Sequence, residues 1–153
     1  MAVLGVVGAA AIVGVGVYTS DAMKSSACGF SSEAERGRVR ADSCKSCHEI
    51  SSSTGELFAA GPNLLAVYGS TIGTRHLPGG RRNAALEAAR DAGLTWTDAN
   101  LEEYLKGPKA FLTRVTGKTF PPVNYMPYDI ADPGPRRDVI AYLKFIRTRP
   151  DCT

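Results

Sequence analysis

The stretch Cys44-Lys45-Ser46-Cys47-His48 decides how the rest of this 153-residue chain is interpreted. It has the form C-x-x-C-H, in which two cysteines separated by two residues are followed at once by a histidine. This is the pattern at which a haem is attached through two thioether bonds, with the histidine supplied to one axial position of the iron. The sequence therefore predicts one covalently bound haem c, attached to Cys44 and Cys47 and ligated by His48.

Two other interpretations of the cysteine pair are weaker. A thioredoxin-like C-x-x-C follows an apolar strand in a βαβ unit, whereas residues 36–43 (RGRVRADS) are too polar for a buried strand. A zinc site would need a second close pair of ligands. The remaining cysteines, Cys28 and Cys152, lie at opposite ends of the chain, and the only other histidine is His76. Haem attachment is the better interpretation.

Length and composition indicate one domain with appendages. Charged residues make up 22% of the chain and the net charge is +3. This is too weakly basic for a nucleic-acid-binding protein, and it suits a redox partner with an acidic docking face. No long strand-like alternation is visible, and the apolar periodicities are helical, so the predicted fold class is all-α.

The two cysteines outside the motif, Cys28 and Cys152, flank the same domain and are predicted to form a disulfide. Covalent haem attachment takes place on the outer, oxidising side of energy-transducing membranes, where a disulfide also persists. A bridge between such distant positions would contribute about 4 kcal/mol if it is unstrained. Two unpaired thiols, or a lipid on Cys28, are the alternatives.

An uncharged apolar run occupies the N-terminus, from Ala2 to Val17 (AVLGVVGAAAIVGVGV). It lacks the positive residues that usually open a secretory signal, and its small residues recur at a spacing that lets another transmembrane helix approach closely. We expect a retained transmembrane anchor or uncleaved signal segment at 1–18, a flexible tether at 19–32 and the haem domain at 33–153. A cleaved signal, which leaves a soluble periplasmic protein, is the alternative.

Helical periodicity and helix-boundary residues locate the main elements of the domain. A long stretch with many prolines and glycines, residues 109–135, is expected to be a loop. The expected helices run from Ser32 to Cys47, over 82–92, over 100–106 and, as a clearly amphipathic segment, over 136–147.

A second axial ligand would close the iron against substrates. Met126 is the only methionine inside the domain, because Met1 and Met23 precede it. A thioether ligand favours the ferrous state and raises the reduction potential. His76, which lies between two loop signals, is the alternative, and we expect Met126 to be the ligand.

Four motifs follow one another along the chain: the C-x-x-C-H site, the stretch Gly61-Pro62-Asn63-Leu64, a W-x4-L-x2-Y-L-x2-P-K pattern that begins at Trp96, and Ile140-Ala141-Tyr142-Leu143-Lys144. In this order, and from about Glu33 to Arg147, the chain resembles the class I c-type cytochromes, the small Met/His-ligated electron carriers. The resemblance implies the cytochrome c fold, with four to five helices wrapped around one haem.

The resemblance also implies roles for single residues. The Pro62 carbonyl is expected to accept the N–H of His48, which fixes the imidazole tautomer and raises its basicity as a ligand. Trp96 is expected to bond a haem propionate. Tyr104 is expected to lie over the haem near Met126.

Other positions refine or depart from the family pattern. The resemblance implies that the aromatic residue of the last helix packs on Gly37, which explains a glycine that costs about 1 kcal/mol inside a helix. Ala41 stands where the family usually has a packing phenylalanine. Tyr68 is expected among the haem contacts. Ser70 stands where an arginine commonly meets a propionate, and the possible substitutes are Arg75, Arg81 and Arg82.

The expected function is one-electron transfer between membrane redox complexes on the periplasmic side. A permanently bound subunit of a larger respiratory or photosynthetic complex is the alternative. An enzyme such as a peroxidase needs an open iron site, which ligation by Met126 would deny. A basic docking rim is expected from a set of scattered cationic residues: Lys45, Arg75, Arg81, Arg82, Lys109, Arg114 and Lys118.

Overall fold

The computed structural model describes residues 26–52, 60–75 and 77–153. These ranges contain five α-helices joined by turns and short 3₁₀ segments, so the prediction of an all-α domain is confirmed. One isolated β-bridge, between Thr71 and Thr95, is the sole strand-like pairing in the described ranges. The helices are α1 (Ser32–Arg40), α2 (Ala84–Asp91), α3 (Asp98–Lys106), α4 (Pro108–Thr116) and α5 (Pro133–Thr148), and the 3₁₀ segments are Ala41–Ser46, Pro78–Gly80, Pro122–Asn124 and Pro150–Cys152.

In the part of the chain that the structure describes, no helix is long and apolar enough to cross a membrane. The apolar segment at residues 1–18 lies outside that part, as does residue 76, the histidine considered as an alternative ligand. The expectations for both stay predictions.

Helix α4 corrects the expectation of a continuous loop over 109–135. Pro108 follows Gly107 directly and occupies the first turn of α4, where a missing N–H costs nothing because that position has no partner within the helix. Phe111 and Leu112 are then buried in the core at 1% and 0% exposure. Gly117, with φ 65°, ends the helix in the left-handed region. The sequence signals of proline and glycine marked the ends of a helix instead of its absence.

Helices α1 and α5 pack closely against each other at Gly37. A Cβ atom on Gly37 would lie 1.9 Å from the Asp138 carbonyl oxygen and 2.8 Å from the Tyr142 Cβ. The expected packing of the last helix on this glycine is therefore confirmed. The α-helical part of this element ends earlier than expected, because the chain tightens into a 3₁₀ segment at Ala41–Ser46 before it reaches Cys47.

A buried carboxylate adds charge to this contact. Asp138 is only 5% exposed, and it accepts hydrogen bonds from Arg36 (Nη2–Oδ1 2.8 Å) and Arg40 (Nε–Oδ2 3.2 Å), both on α1. The hydrogen bonds from Arg36, and then those from Arg40, hold the pKa of Asp138 below its ordinary value against the opposing effect of burial. The helix that leads into the cysteine motif is thus held to α5 by sterics and by charge.

The domain begins earlier than residue 33. Cys28 is paired with Cys152, with 5.8 Å between their Cα atoms, and the ring centroid of Phe30 lies 4.5 Å from that of Phe145 and 6.1 Å from that of Tyr142. Residues 28–30 are therefore part of the packed domain and not of a tether. Phe30 brings an aromatic ring to the α1–α5 contact, where Ala41 supplies none.

Candidate functional site

The C-x-x-C-H motif forms a single tight turn at the end of the 3₁₀ segment. The backbone N–H groups of Cys47 and His48 both donate to the Cys44 carbonyl, at 3.0 and 2.8 Å. Cys44 is half-buried, Cys47 is exposed, and neither forms a disulfide. These two backbone bonds hold Cys44, Cys47 and His48 in one tight turn.

His48 is oriented by the loop at residues 60–64. Its Nδ1 lies 2.8 Å from the Pro62 carbonyl oxygen. A carbonyl oxygen can only accept, so Nδ1 carries the proton and Nε2 is the nitrogen left with a free lone pair. Burial lowers the pKa of His48, and the bond to Pro62 opposes that shift in part. The imidazole is therefore held neutral, which is the form that binds a metal.

Gly61 leaves the space that the imidazole occupies. A Cβ atom at this position would lie 2.2 Å from His48 Cε1 and 2.5 Å from Nδ1. The Gly61 N–H also donates to the Cys47 carbonyl at 2.8 Å, so this loop is bonded directly to the cysteine turn. The glycine is required here by close approach and not by a special backbone angle.

Trp96 and Tyr104 lie together in an aromatic group with Phe111. The Trp96 and Tyr104 ring centroids are 4.8 Å apart, edge to face, and Tyr104 and Phe111 are 5.8 Å apart. Trp96 is 6% exposed. Its backbone is fixed by bonds to Gly69 and Ser70 at 2.8 and 2.9 Å. Burial raises the pKa of Tyr104 far above its ordinary value, so its hydroxyl stays protonated.

Met126 belongs to a separate set of contacts. It packs half-buried against the core and lines a cleft of about 690 Å³ with residues 107–110 and 127–129 among others. Before Met126, the chain is bonded to α2 through Asn124. After it, the Ile130 N–H donates to the Leu105 carbonyl at 2.7 Å. The methionine is thus carried by a short segment that is held at both ends.

Arg136 secures the far end of that segment. It is 5% exposed, and its Nη1 donates to the carbonyls of Ile130 and Ala131, each at 2.6 Å. Its Nε lies 3.0 Å from Glu102 Oε1 on α3. Arg136 was not predicted as part of the site, although it is a charged residue at the start of an amphipathic helix. Asn83 and Asn124 were not predicted either, because the sequence carries no signal for a contact between positions so far apart.

Tyr68, Ser70 and the arginines expected to bond the haem propionates contact other parts of the chain than the cysteine turn. Lys144 Nζ lies over the Tyr68 ring, 5.3 Å from its centroid, and the Ser70 hydroxyl donates to the Val67 carbonyl at 2.7 Å. Arg75 donates to the Ala66 carbonyl at 3.0 Å. A groove of about 500 Å³ gathers four arginines, which are Arg75, Arg81, Arg82 and Arg90.

The residues expected to form a basic rim are partly neutralised. Lys45 pairs with Asp42 and Arg82 with Glu87, at 2.9 and 2.6 Å. Arg114 forms two contacts with the Glu103 carboxylate, one of them at 2.6 Å. Lys109 and Lys118 are exposed and take part in no ion pair within the described ranges. The free positive charge of these rim residues is therefore smaller than the sequence suggests.

These residues fit a covalently attached haem. The two thiols of the cysteine turn are not engaged with each other, His48 presents Nε2 as its free nitrogen, and the missing side chain of Gly61 leaves room for the imidazole. An aromatic group and a half-buried thioether supply apolar surface of the kind that surrounds a porphyrin. Nothing in the described contacts of this site opposes the cofactor.

Comparison with known proteins supports the same conclusion. No family model matches the chain. The chain is 34% identical over 115 residues to cytochrome c-550 of Novispirillum itersonii, which covers 75% of this chain and 99% of that protein. It is 30% identical over 132 residues to cytochrome c2 of Rhodospirillum rubrum, which covers 86% and 94% respectively. The chain belongs to the cytochrome c2 family of class I c-type cytochromes.

The fold of this family is also found in solved structures. The structure of cytochrome c2 from Rhodospirillum centenum superimposes with a TM-score of 0.62 at 31% identity, and the match covers 72% of this chain and 95% of that one. Members of the cytochrome c2 family are electron-transfer proteins with one covalently attached haem. The predictions of a haem c cofactor, of the cytochrome c fold and of a carrier that is not an enzyme are therefore confirmed.

Proposed function

We propose that this cytochrome c2 family member carries single electrons between membrane redox complexes on the periplasmic side, with His48 and Met126 as the two axial ligands of one haem bound to Cys44 and Cys47. The observation that carries the proposal is the 2.8 Å bond between His48 Nδ1 and the Pro62 carbonyl. It assigns the tautomer and leaves Nε2 for the iron. When bound, the haem supplies the Fe(III)/Fe(II) couple.

The protein's own contribution on the Met126 side is to keep small molecules away from the iron. The methionine segment is held by Asn124 at one end and by Ile130 at the other, at distances of 2.7 to 3.1 Å. A thioether delivered by a segment that is fixed in this way favours the ferrous state and blocks substrate entry. Trp96 and Tyr104 supply a buried aromatic wall, and Trp96 is the proposed propionate partner.

Docking requires a surface that a redox partner can recognise. The exposed Lys109 and Lys118 supply positive charge, and Lys109 lines the same cleft as Met126. Such charge steers association with a partner whose docking face is acidic. Two arginines of the groove described above, Arg75 and Arg81, are the proposed partners of the haem propionates, in place of the arginine that the family commonly has at the position of Ser70.

The proposed location is the outer side of an energy-transducing membrane. A disulfide between Cys28 and Cys152 is compatible with that oxidising compartment and not with the cytosol. Residues 1–18 would hold the chain at the membrane, unless they are cleaved to give a soluble periplasmic protein. The intact mass of the purified protein distinguishes the two outcomes, and it also reports the haem and any lipid on Cys28.

Carbon monoxide binding tests the closed iron that an electron carrier of this kind requires. The reduced protein should show the same visible spectrum with and without carbon monoxide, because Met126 occupies the sixth position. The Met126→Ala variant should bind carbon monoxide and shift its spectrum. Carbon monoxide binding by the unmodified protein at neutral pH would contradict the proposal and would favour an enzymatic, open site.

A further inference from the structure

Two asparagines, one at the start of α2 and one just before Met126, bond to each other across the domain. We propose that Asn83 and Asn124 form a two-bond clamp that positions Met126 as an axial ligand and sets how readily an external ligand displaces it. This inference rests on the function proposed above, and in particular on Met126 as the sixth ligand. It names the hydrogen bonds that resist displacement of Met126 from the iron.

The clamp consists of two hydrogen bonds, both donated from the start of α2 to oxygen atoms of Asn124. Asn83 Nδ2 donates to the Asn124 backbone carbonyl at 3.1 Å, and the Ala84 backbone N–H donates to Asn124 Oδ1, also at 3.1 Å. The partners are separated by 41 and 40 positions in the sequence. No local chain geometry brings them together, so the bonds form only when the Met126 segment lies against α2.

The clamp is also part of the cap of α2. Asn83 Oδ1 accepts from the N–H groups of Ala85 and Leu86, each at 3.1 Å. The first N–H groups of a helix have no partner within it. Here the first three are all satisfied by the two asparagines, and the one on Ala84 depends on Asn124 alone among the described contacts. Displacement of the Met126 segment therefore also removes the acceptor of the first N–H of α2, while Asn83 still caps the next two.

The segment that approaches Met126 is braced so that it moves as a unit. The Tyr125 N–H donates to the Pro122 carbonyl at 3.0 Å, and the Phe120 N–H donates to the Tyr125 hydroxyl at 2.8 Å. Helix α2, on the other side of the clamp, is anchored in the core, since its residues Ala85 and Ala89 are 0% exposed. The clamp thus joins a stiff approach segment to a helix with one buried face, two residues before the methionine.

An external ligand must displace the methionine side chain before it reaches the iron. If the segment moves outward with that side chain, both clamp bonds break and the Ala84 N–H loses its acceptor. A hydrogen bond of ordinary strength corresponds to about a fivefold change in an equilibrium constant. Loss of one clamp bond should therefore raise the affinity for an external ligand by about fivefold, and loss of both by about 25-fold, because the ligand no longer has to break them.

Imidazole binding to the ferric holoprotein, followed by the visible spectrum, measures this effect. Asn83→Ser keeps a hydroxyl that caps α2 but cannot reach Asn124, and Asn124→Ala removes the acceptor for Ala84. Each variant removes one of the two bonds and should bind imidazole about fivefold more tightly than the unmodified protein. Unchanged affinity in both variants overturns the proposal.

A matched control separates positioning from general stability. Ser31→Ala removes the side-chain cap of α1, a bond from the Ala34 N–H to the Ser31 hydroxyl at 3.2 Å. This variant should lose a similar amount of stability in thermal unfolding and keep the imidazole affinity of the unmodified protein. An equal gain of affinity in Ser31→Ala also overturns the proposal, because it would show that any loosening of the fold admits the ligand.

Amide hydrogen exchange provides a readout that does not depend on variants. Saturating imidazole should speed the exchange of the Ala84 amide in the unmodified protein and leave that of Ala34 unchanged. An Ala84 amide that stays equally protected overturns the clamp alone, while the ligation by Met126 stands. If the ferric spectrum shows no thioether–iron band before imidazole is added, the proposed ligation fails and the clamp fails with it.

Discussion

The His48 segment and the Met126 segment are positioned in different ways. His48 is fixed within a short stretch of chain, by a turn that starts at Cys44 and by the Pro62 carbonyl 14 residues away. Met126 is held by partners on three helices, reached through Asn124, Ile130 and Arg136. The first arrangement is mainly local and steric, and the second is assembled from long-range polar contacts.

This difference has a consequence for how each ligand responds to perturbation. Local chain geometry and a close glycine contact hold the imidazole even when distant parts of the domain loosen. The methionine segment depends on hydrogen bonds that each contribute only about 1 kcal/mol. We therefore expect ligation by Met126 to be lost before ligation by His48 when the domain is heated, denatured or mutated.

The largest effect is expected from Gly61→Ala, because the new side chain would clash with the His48 imidazole. The new Cβ atom would lie 2.2 Å from His48 Cε1, so the imidazole has to leave the Pro62 carbonyl. We expect a loss of about 3 kcal/mol in unfolding free energy and poor haem incorporation, measured by denaturant unfolding and by the ratio of haem to protein absorbance.

Gly134→Ala is the matched control for that change. Its Cβ atom would meet nothing nearer than the Asp132 carboxylate at 3.6 Å, so stability and haem content should stay close to those of the unmodified protein. Equal behaviour of the two alanine variants would show that Gly61 is not required by contact with the imidazole.

Arg136→Met tests the Met126 side. The change removes the donors to Ile130 and Ala131 and leaves Glu102 without its partner, so we expect a loss of about 2–3 kcal/mol. On heating, the thioether band should disappear well before the Soret band changes. The control is Arg137→Met at the neighbouring exposed position. It should keep the stability of the unmodified protein, and its thioether band should not disappear early on heating. Simultaneous loss of both bands in Arg136→Met would remove the proposed difference between the two segments.

A smaller, pH-dependent effect is expected at the α1–α5 contact beneath the His48 segment. Arg36 and Arg40 hold the pKa of Asp138 below its value in the unfolded chain. The stabilisation of the folded state by the ionised Asp138 carboxylate is therefore fully present above the pKa that Asp138 has in the unfolded chain, about 4. It is lost as the pH falls through the lower pKa that Asp138 has in the folded protein. Asp138→Asn should lower stability at pH 7 by about 1–2 kcal/mol and flatten its acid dependence.

The exposed Asp91→Asn is the control for the acid titration. Its carboxylate pairs with Arg90 at the surface, with 68% of the side chain exposed, and a pair of this kind contributes little. Denaturant unfolding from pH 2 to pH 7 should give the same curve for this variant and for the unmodified protein. If Asp138→Asn also gave an unchanged curve, the buried carboxylate would have no role in holding α1.

The contact of His48 with Pro62 was easier to predict from the sequence than the contacts around Met126, because the signals on the His48 side are contiguous or nearly so. The C-x-x-C-H motif, the Gly61-Pro62 pair and the costly Gly37 each follow from spacing, backbone chemistry or the family resemblance. On the Met126 side the sequence supplied only the methionine itself. Asn83 and Asn124 carry no common pattern, and the proline that signalled a loop after Gly107 instead opened α4.

The N-terminal boundary of the packed domain was also not predictable from the sequence. A serine-rich segment is typical of a tether, and composition alone could not show that Cys28 and Phe30 pack on the last helix. Their partners, Cys152 and Phe145, lie at the far end of the chain. Contacts between the two termini are fixed by the completed fold and leave no periodicity in either segment.

The most direct test of the account is the spectrum of the oxidised protein at the red end of the visible range. Iron(III) with one imidazole and one thioether ligand gives a weak band there, so the unmodified protein should show it. Met126→His should lose the band and keep its Soret absorbance. A band that persists in Met126→His would contradict the assignment of Met126 as the second axial ligand, and with it the closed site on which the proposed electron-carrier function depends.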